Sequence, residues 1–268
     1  MSTFTIVPCG AEILSAQHFV YEIFNLRGSI NNQKLLYRGL SSSSYKLQPM
    51  VGRPLKYAGK EVLLDTTSEK DLLHRFRRRA YPHIGRAITA GEAIFMARHH
   101  GLPTRLLDWT ANALFSLYFA CYEHHDQDGK IWAMLRWPDE GYDIDAFKLA
   151  QLKTEEKVFD YRMRGGDPSN DAIKIVHPFY NTPRLLAQDG AFTIHSHPQK
   201  SIEDYNGKVF KKSNLDIHAL YCWCVPKDNK KNIVEGLSGL GITHRSVYPD
   251  LDGIARSLWE TEVLWLRT

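Results

Sequence analysis

No stretch of this chain is apolar over the length of a membrane span. The N-terminus has no basic segment followed by an apolar one, so no secretory signal is expected. Cysteine is scarce. The four are Cys9, Cys121, Cys222 and Cys224, no disulfide framework is apparent among them, and this fits a reducing cytoplasm. Several catalytic signatures are missing too. There is no Gly-x-Ser-x-Gly elbow for a serine hydrolase and no cysteine beside a histidine. There is neither a Walker A loop nor a Gly-x-Gly-x-x-Gly turn, which argues against P-loop and Rossmann nucleotide sites. Charge of one sign is not in excess. The formal +4 permits nucleic acid or a nucleotide as partner without arguing for either. Nor is there any repeat, linker or low-complexity segment, so residues 1–268 are read as a single domain. With 43% hydrophobic and 24% charged residues, that domain can bury a sizeable core.

Histidine, by contrast, is plentiful, at 12 residues. His99 and His100 are adjacent, so on a helix they point about 100° apart and chelate poorly together. His195 and His197 would share one face of a strand, as would Cys222 and Cys224. None of these has the paired short spacings of a structural zinc site, and no metal is expected.

The densest chemistry lies in ARHHGLPTRLLDWTANALFSLYFA, Ala97–Ala120. A helix leads into it: Thr89 and Glu92 have capping-box spacing, and Gly101 with Pro103 ends the helix, leaving His99 and His100 on its last turn. A second helix is expected to start near Thr110, capped by Asp108 or Thr110. It is apolar nearly all round and therefore buried, with its N-terminal N–H groups offered to an anion. Polar residues held between two such helices read as the lip of a site. A purely structural alternative has Asp108 and Thr110 only capping, Arg105 only pairing with Asp108, and Trp109 only packing.

Elsewhere the pattern predicts a helix over 15–27 capped by Ser15, a strand over 34–38 and a serine-containing loop to about residue 59. A basic helix begun by Ser68 carries Arg75, Arg77, Arg78 and Arg79. Strands are expected over 130–137, 175–177, 192–195 and 219–225, with helices near 145–153 and over 229–237. Pro249-Asp250 opens a final short helix, and 262–266 form a terminal strand. The fold class is α+β, a mixed or split β-sheet with flanking helices.

Four blocks of this sequence resemble the FRG-domain family. They are Tyr37-Arg38-Gly39, the central HHGLPTRLLDWTANALFSLYFA, Pro183-Arg184 through Gln188, Gly190, Phe192 and Thr193, and Tyr248-Pro249-Asp250-Leu251-Asp252-Gly253. They stand in the family's order over about residues 15–258. The spacing of these pieces is also similar to that of mono-ADP-ribosyltransferases, which carry a strand-end arginine, a Ser/Thr-containing strand leading into a helix, and a late Glu or Gln.

That second resemblance implies a specific site. Arg38 would grip the pyrophosphate of NAD with its planar fork, and Tyr37 or Trp109 would stack on nicotinamide. Gly39, His100 and Arg105 would complete the binding set, and Asp108, Thr110 and Gln188 would join Arg38 in catalysis. Gln188 is neutral where a carboxylate usually steadies the oxocarbenium-like transition state. Glu262, in Glu260-Thr261-Glu262-Val263-Leu264, is the competing late residue. Alternatively Arg38 pairs with Asp108 or Asp252 as a fold determinant, and Gln188 only bonds backbone. The leading expectation is a cytoplasmic, NAD-binding, ADP-ribosyltransferase-like enzyme with a protein or nucleic-acid acceptor and no membrane partner, suited to a toxin or phage-defence role. A nuclease or nucleic-acid-binding module would instead use Arg38, His99, His100, Arg105 and Asp108 with the basic helix. A third class is a non-catalytic interaction module.

Overall fold

The computed structural model describes residues 2–136, 144–145, 149–160, 172–178, 183–210 and 217–265. In chain order the strands are β1 (Ser2–Thr3), β2 (Thr5–Ile6), β3 (Leu35–Leu40), β4 (Leu55–Tyr57), β5 (Lys60–Val62), β6 (Leu106–Thr110) and β7 (Gly129–Arg136). They continue with β8 (Ile144–Asp145), β9 (Ile173–His177), β10 (Gly190–His195), β11 (Val209–Phe210) and β12 (Ile217–Val225). The helices are α1 (Ala16–Ser29), α2 (Thr66–Ile84), α3 (Ala90–His99), α4 (Ala113–Cys121) and α5 (Glu155–Asp160). After them come α6 (Pro183–Ala187), α7 (Lys230–Gly239), α8 (His244–Val247) and α9 (Leu251–Trp265). The fold is α+β.

Eight strands form one mixed sheet in the order β2-β12-β7-β3-β6-β10-β9-β8. Its pairings are antiparallel except at the two edges, where β2 runs parallel to β12 and β8 to β9. Its middle is weakly joined. β3 meets β7 along its whole length but meets β6 at a single bridge, Tyr37 to Thr110. The sheet is therefore split at a seam.

The core follows that split. Strand residues alternate between faces, so Tyr37, Ala133 and Trp223 share the front with α1, α4 and α7 in one apolar cluster. Leu106, Phe192 and Val176 share the front of the other half with α2, α3 and α5. On the back, Leu36, Leu107, Trp109, Trp132 and Ile175 belong to a third cluster that runs across both halves, under Leu47 and Tyr205. The back is thus one continuous layer. The front is two hydrophobic bodies with a gap over the seam.

Local signals place these elements. The Ser15 hydroxyl accepts from the His18 N–H, and Thr89 with Glu92 makes the expected capping box. Gly39 has a packing reason, since a Cβ there would stand 1.9 Å from the Ser116 carbonyl oxygen of α4. Several expectations are corrected. Helix α2 begins at Thr66 under an Asp65 cap rather than at Ser68. The chain through Asp108 is strand, and Asn112, not Asp108 or Thr110, caps α4 by accepting from the N–H groups of Leu114 and Phe115. Where a terminal strand was expected over 262–266, residues 262–265 belong to α9, and 266 lies outside the described residues. The helix near 145–153 lies partly outside the described residues, and Asp145 belongs to β8. Cys9 and Cys222 are disulfide-bonded, which removes the cysteine argument for a reducing compartment. Among the described residues no helix is long and apolar enough to cross a membrane.

Candidate functional site

A cavity of about 400 Å³ lies at the seam, lined by Phe119 and Tyr248 of one front-face body, Leu185 and Phe192 of the other, and Leu40 and Trp109 of the back layer. That is within the ~300–1,000 Å³ typical of small-molecule sites. Each of the four sequence blocks contributes to it: Tyr37, Arg38 and Gly39 from β3, Arg98, His99, Asp108 and Thr110 around the central motif, Arg184 and Gln188 near α6, and Tyr248 after α8.

Charge is unevenly distributed around this cavity. Its lining holds four guanidiniums, from Arg38, Arg53, Arg98 and Arg184, against the two carboxylates of Asp108 and Glu123. Arg98 donates to both Asp108 carboxylate oxygens, through Nε at 3.1 Å to each and through Nη2. Arg38 donates through Nη1 to the Asp108 backbone carbonyl at 2.6 Å and lies 3.5 Å from its carboxylate. The Arg38 Nε is buried with no hydrogen-bond partner. Arg53 spends Nε and Nη2 on the Gln48 carbonyl, and Arg184 lies over the Tyr248 ring at 4.5 Å.

These neighbours set the protonation of the site. Burial lowers the Arg38 pKa to about 10; Asp108 works against that shift, and the like charges of Arg53 and Arg98 add to it. Burial pushes the Asp108 carboxyl up, but Arg98, Arg38 and Arg184 reverse this and hold it at about 2. His99 is shifted below the ordinary histidine value by burial, His100 and Arg184. The pocket is therefore a concentration of positive charge that solvent alone poorly relieves.

The predicted residues divide. Tyr37, Arg38, Gly39, Asp108, Thr110 and Gln188 come together as expected from sequence. His100 and Arg105 do not line this pocket. His100 lines a separate, mostly apolar cavity with Phe76 and Met96 between α2 and α3. Arg105 is 2% exposed and pairs with Glu69 of α2, not Asp108. Trp109 also lines the pocket, but it is 3% exposed, and its Nε1 donates to Thr193 on the back of the sheet. Thr110 donates to the Gln188 carbonyl and accepts from the Asn112 N–H. The Gln188 side chain donates to the Val247 carbonyl at 3.0 Å. At the α4 N-terminus Asn112 accepts from the Leu114 and Phe115 N–H groups, and this helix end is not part of the lining. Glu262 lies on α9.

Sequence reading missed Arg53, Arg98, Arg184 and Tyr248. Three of them sit inside or beside the quoted blocks, so the signal was there. Tyr248 ends a row of rings: Tyr118 on Tyr122 at 4.8 Å, Tyr122 on His244 at 4.9 Å and His244 on Tyr248 at 4.7 Å. Phe119 adds an edge contact at 6.2 Å. Lys230, fully buried, ties the rim together by donating to the carbonyls of Ser41 at 2.7 Å, Glu123 at 3.2 Å and His124 at 2.9 Å.

The model of the FRG domain matches residues 33–129, which span β3 to the start of β7. This stretch carries an FRG domain. It supplies the seam and most of the arginine cluster, while Arg184, Gln188 and Tyr248 come from the chain beyond it. No curated protein and no solved structure matches the chain.

Proposed function

We propose that the seam pocket of this FRG-domain protein binds NAD and that the domain is an ADP-ribosyltransferase or NAD glycohydrolase. The observation that carries this reading is the ring of four guanidiniums around one cavity, with the buried and unsatisfied Nε of Arg38 among them. An orphaned buried donor costs about 1–3 kcal/mol until something accepts from it. A pyrophosphate supplies several acceptor oxygens and two negative charges, and guanidinium forks match it in geometry. The Tyr248 ring, backed by Arg184, and the neighbouring Phe119 replace Trp109 as the wall for an aromatic base. The reaction breaks the bond between the ribosyl carbon and nicotinamide. Nicotinamide leaves with the bonding electrons, and the ADP-ribosyl group passes to water or to a macromolecular acceptor. Such chemistry suits a toxin or phage-defence effector.

The nucleic-acid reading loses three of its arginines. Arg105 is buried elsewhere, and on α2 Arg75 pairs with Asp71 while Arg77 pairs with Glu155. Titration of the full chain with NAD and with single-stranded RNA at low and moderate salt separates the two. Pocket binding of NAD with shallow salt dependence is expected. Steeply salt-dependent RNA binding, the mark of counterion release, with no NAD binding would reverse the assignment.

A further inference from the structure

We infer that Glu123 is the catalytic carboxylate of this pocket, the group that faces the ribosyl carbon as nicotinamide leaves. The inference rests on the NAD reading above and names a residue that neither the sequence blocks nor the late Gln188 and Glu262 positions supply.

A positive charge developing on the ribosyl carbon needs a carboxylate free to meet it. Asp108 is not free, because Arg98 takes both its oxygens and Arg38 stands 3.5 Å away. Gln188 is neutral and commits its amide to Val247. Glu123 is the other carboxylate in the lining; it is exposed, and among the described residues its side chain makes no hydrogen bond or ion pair. Its main chain is nonetheless held in place, since the buried Lys230 ammonium takes the carbonyls of Glu123 and His124 together with that of Ser41 across the rim. The backbone under the carboxylate is thereby fixed, and the side chain is left free to turn to a bound ligand. Glu123 also adds to the upward shift of the Tyr248 hydroxyl, which burial dominates, so its charge is felt at the aromatic wall. The pocket is then polarised. Arginines hold the pyrophosphate on one side, and Glu123 meets the opposite charge at the ribose beside Tyr248.

The step balances without a further reactant. The C–N bond breaks, and its electron pair leaves with nicotinamide. Glu123 stabilises the ribosyl cation and takes the proton of the water or acceptor hydroxyl that forms the new C–O bond.

The test uses the 268-residue chain with NAD as probe. Binding is measured by calorimetry and nicotinamide release by chromatography. Glu123→Gln is expected to keep NAD affinity within about threefold, as for an interaction made chiefly in the transition state. Release should slow by ~10²–10³-fold. In Glu123→Ala, added sodium formate should restore part of the rate, which a merely structural role would not allow. If Glu123→Gln releases nicotinamide as fast as the unaltered chain, the assignment of Glu123 falls and the NAD reading stands. Slowing that formate does not relieve, with a lowered melting temperature, makes Glu123 structural and also overturns the assignment. Binding of NAD without nicotinamide release by the unaltered chain keeps the pocket but removes the chemistry, and Glu123's role with it. No NAD binding at all overturns both readings.

Discussion

Two arginine–carboxylate pairs stand along strand β6, and they are built to opposite specifications. At one end Arg105 and Glu69 are 2% and 3% exposed. The Glu69 carboxylate takes Nε and Nη2 of Arg105 as well as its backbone N–H, and the guanidinium also packs on the Phe159 ring at 3.9 Å. In mid-strand Arg98 and Asp108 are 20% and 40% exposed, Arg38 crowds the same carboxylate, and one Arg38 donor is left without an acceptor. The first pair is closed and pins α2 to the sheet. The second is open, over-supplied with positive charge and incompletely satisfied. A closed pair gains nothing from a ligand; an open one with surplus donors gains an anion's worth of hydrogen bonds. The comparison separates structural from functional ionic groups along a single strand.

The largest expected effect breaks the closed pair. Glu69→Ala strands the Arg105 guanidinium in a dry environment and should cost about 3–5 kcal/mol of folding stability, read from urea unfolding. Wherever the variant remains folded, its NAD affinity should equal that of the unaltered chain. A loss of affinity without a loss of stability would erase the distinction drawn between the pairs.

Acid sharpens the same contrast between back and front. On the back of the sheet His195 is 1% exposed, and burial with the charges of Arg105 and Arg38 drives its pKa to about 3. Its Nε2 lies 2.9 Å from the Thr193 hydroxyl. Because the folded value is below the unfolded one, the unfolded state binds more protons between these values, and stability rises with pH across that window. Acidification from pH 7 to pH 5 should therefore cost about 2 kcal/mol. His99 acts in the same direction. Asp108, held at about 2, contributes stability that is present above ~4 and is lost only as pH falls toward 2. Its 40% exposure screens that contribution to about 1 kcal/mol or less. Melts from pH 7 to 2 should show the larger loss first, and His195→Gln should remove most of it. An equal loss in that variant would contradict the assignment.

Periodicity and caps made most of the fold legible, and the four blocks made the pocket legible. The Ser15 and Thr89 caps, the buried α4 and the gathering of Tyr37, Arg38, Asp108, Thr110 and Gln188 were all readable from the sequence. The errors share a cause. Taking Asp108 as a helix cap made Arg105, three residues away, its natural partner. Arg105 precedes the strand and turns to Glu69 of α2, while Asp108 lies within β6 and faces the front with Leu106. Alternation along the strand sends Trp109 to the back. Arg98 lies on α3, and its meeting with Asp108 depends on how α3 packs on β6, which no local pattern encodes. Arg53 was unreadable for the same reason. The Cys9–Cys222 bond joins residues 213 apart in sequence, and spacing alone could not suggest it.

The central claim is that the open pair serves an anionic nucleotide, and Arg38 tests it most directly. Arg38→Lys keeps a positive charge but loses the planar fork. Calorimetric titration of NAD into the unaltered chain and into Arg38→Lys, with a thermal melt of each, decides the matter. The account predicts a loss of roughly 1–3 kcal/mol in NAD binding with a nearly unchanged melting temperature. A large fall in melting temperature, with no NAD-induced stabilisation even of the unaltered chain, would make Arg38 a fold determinant and contradict the account.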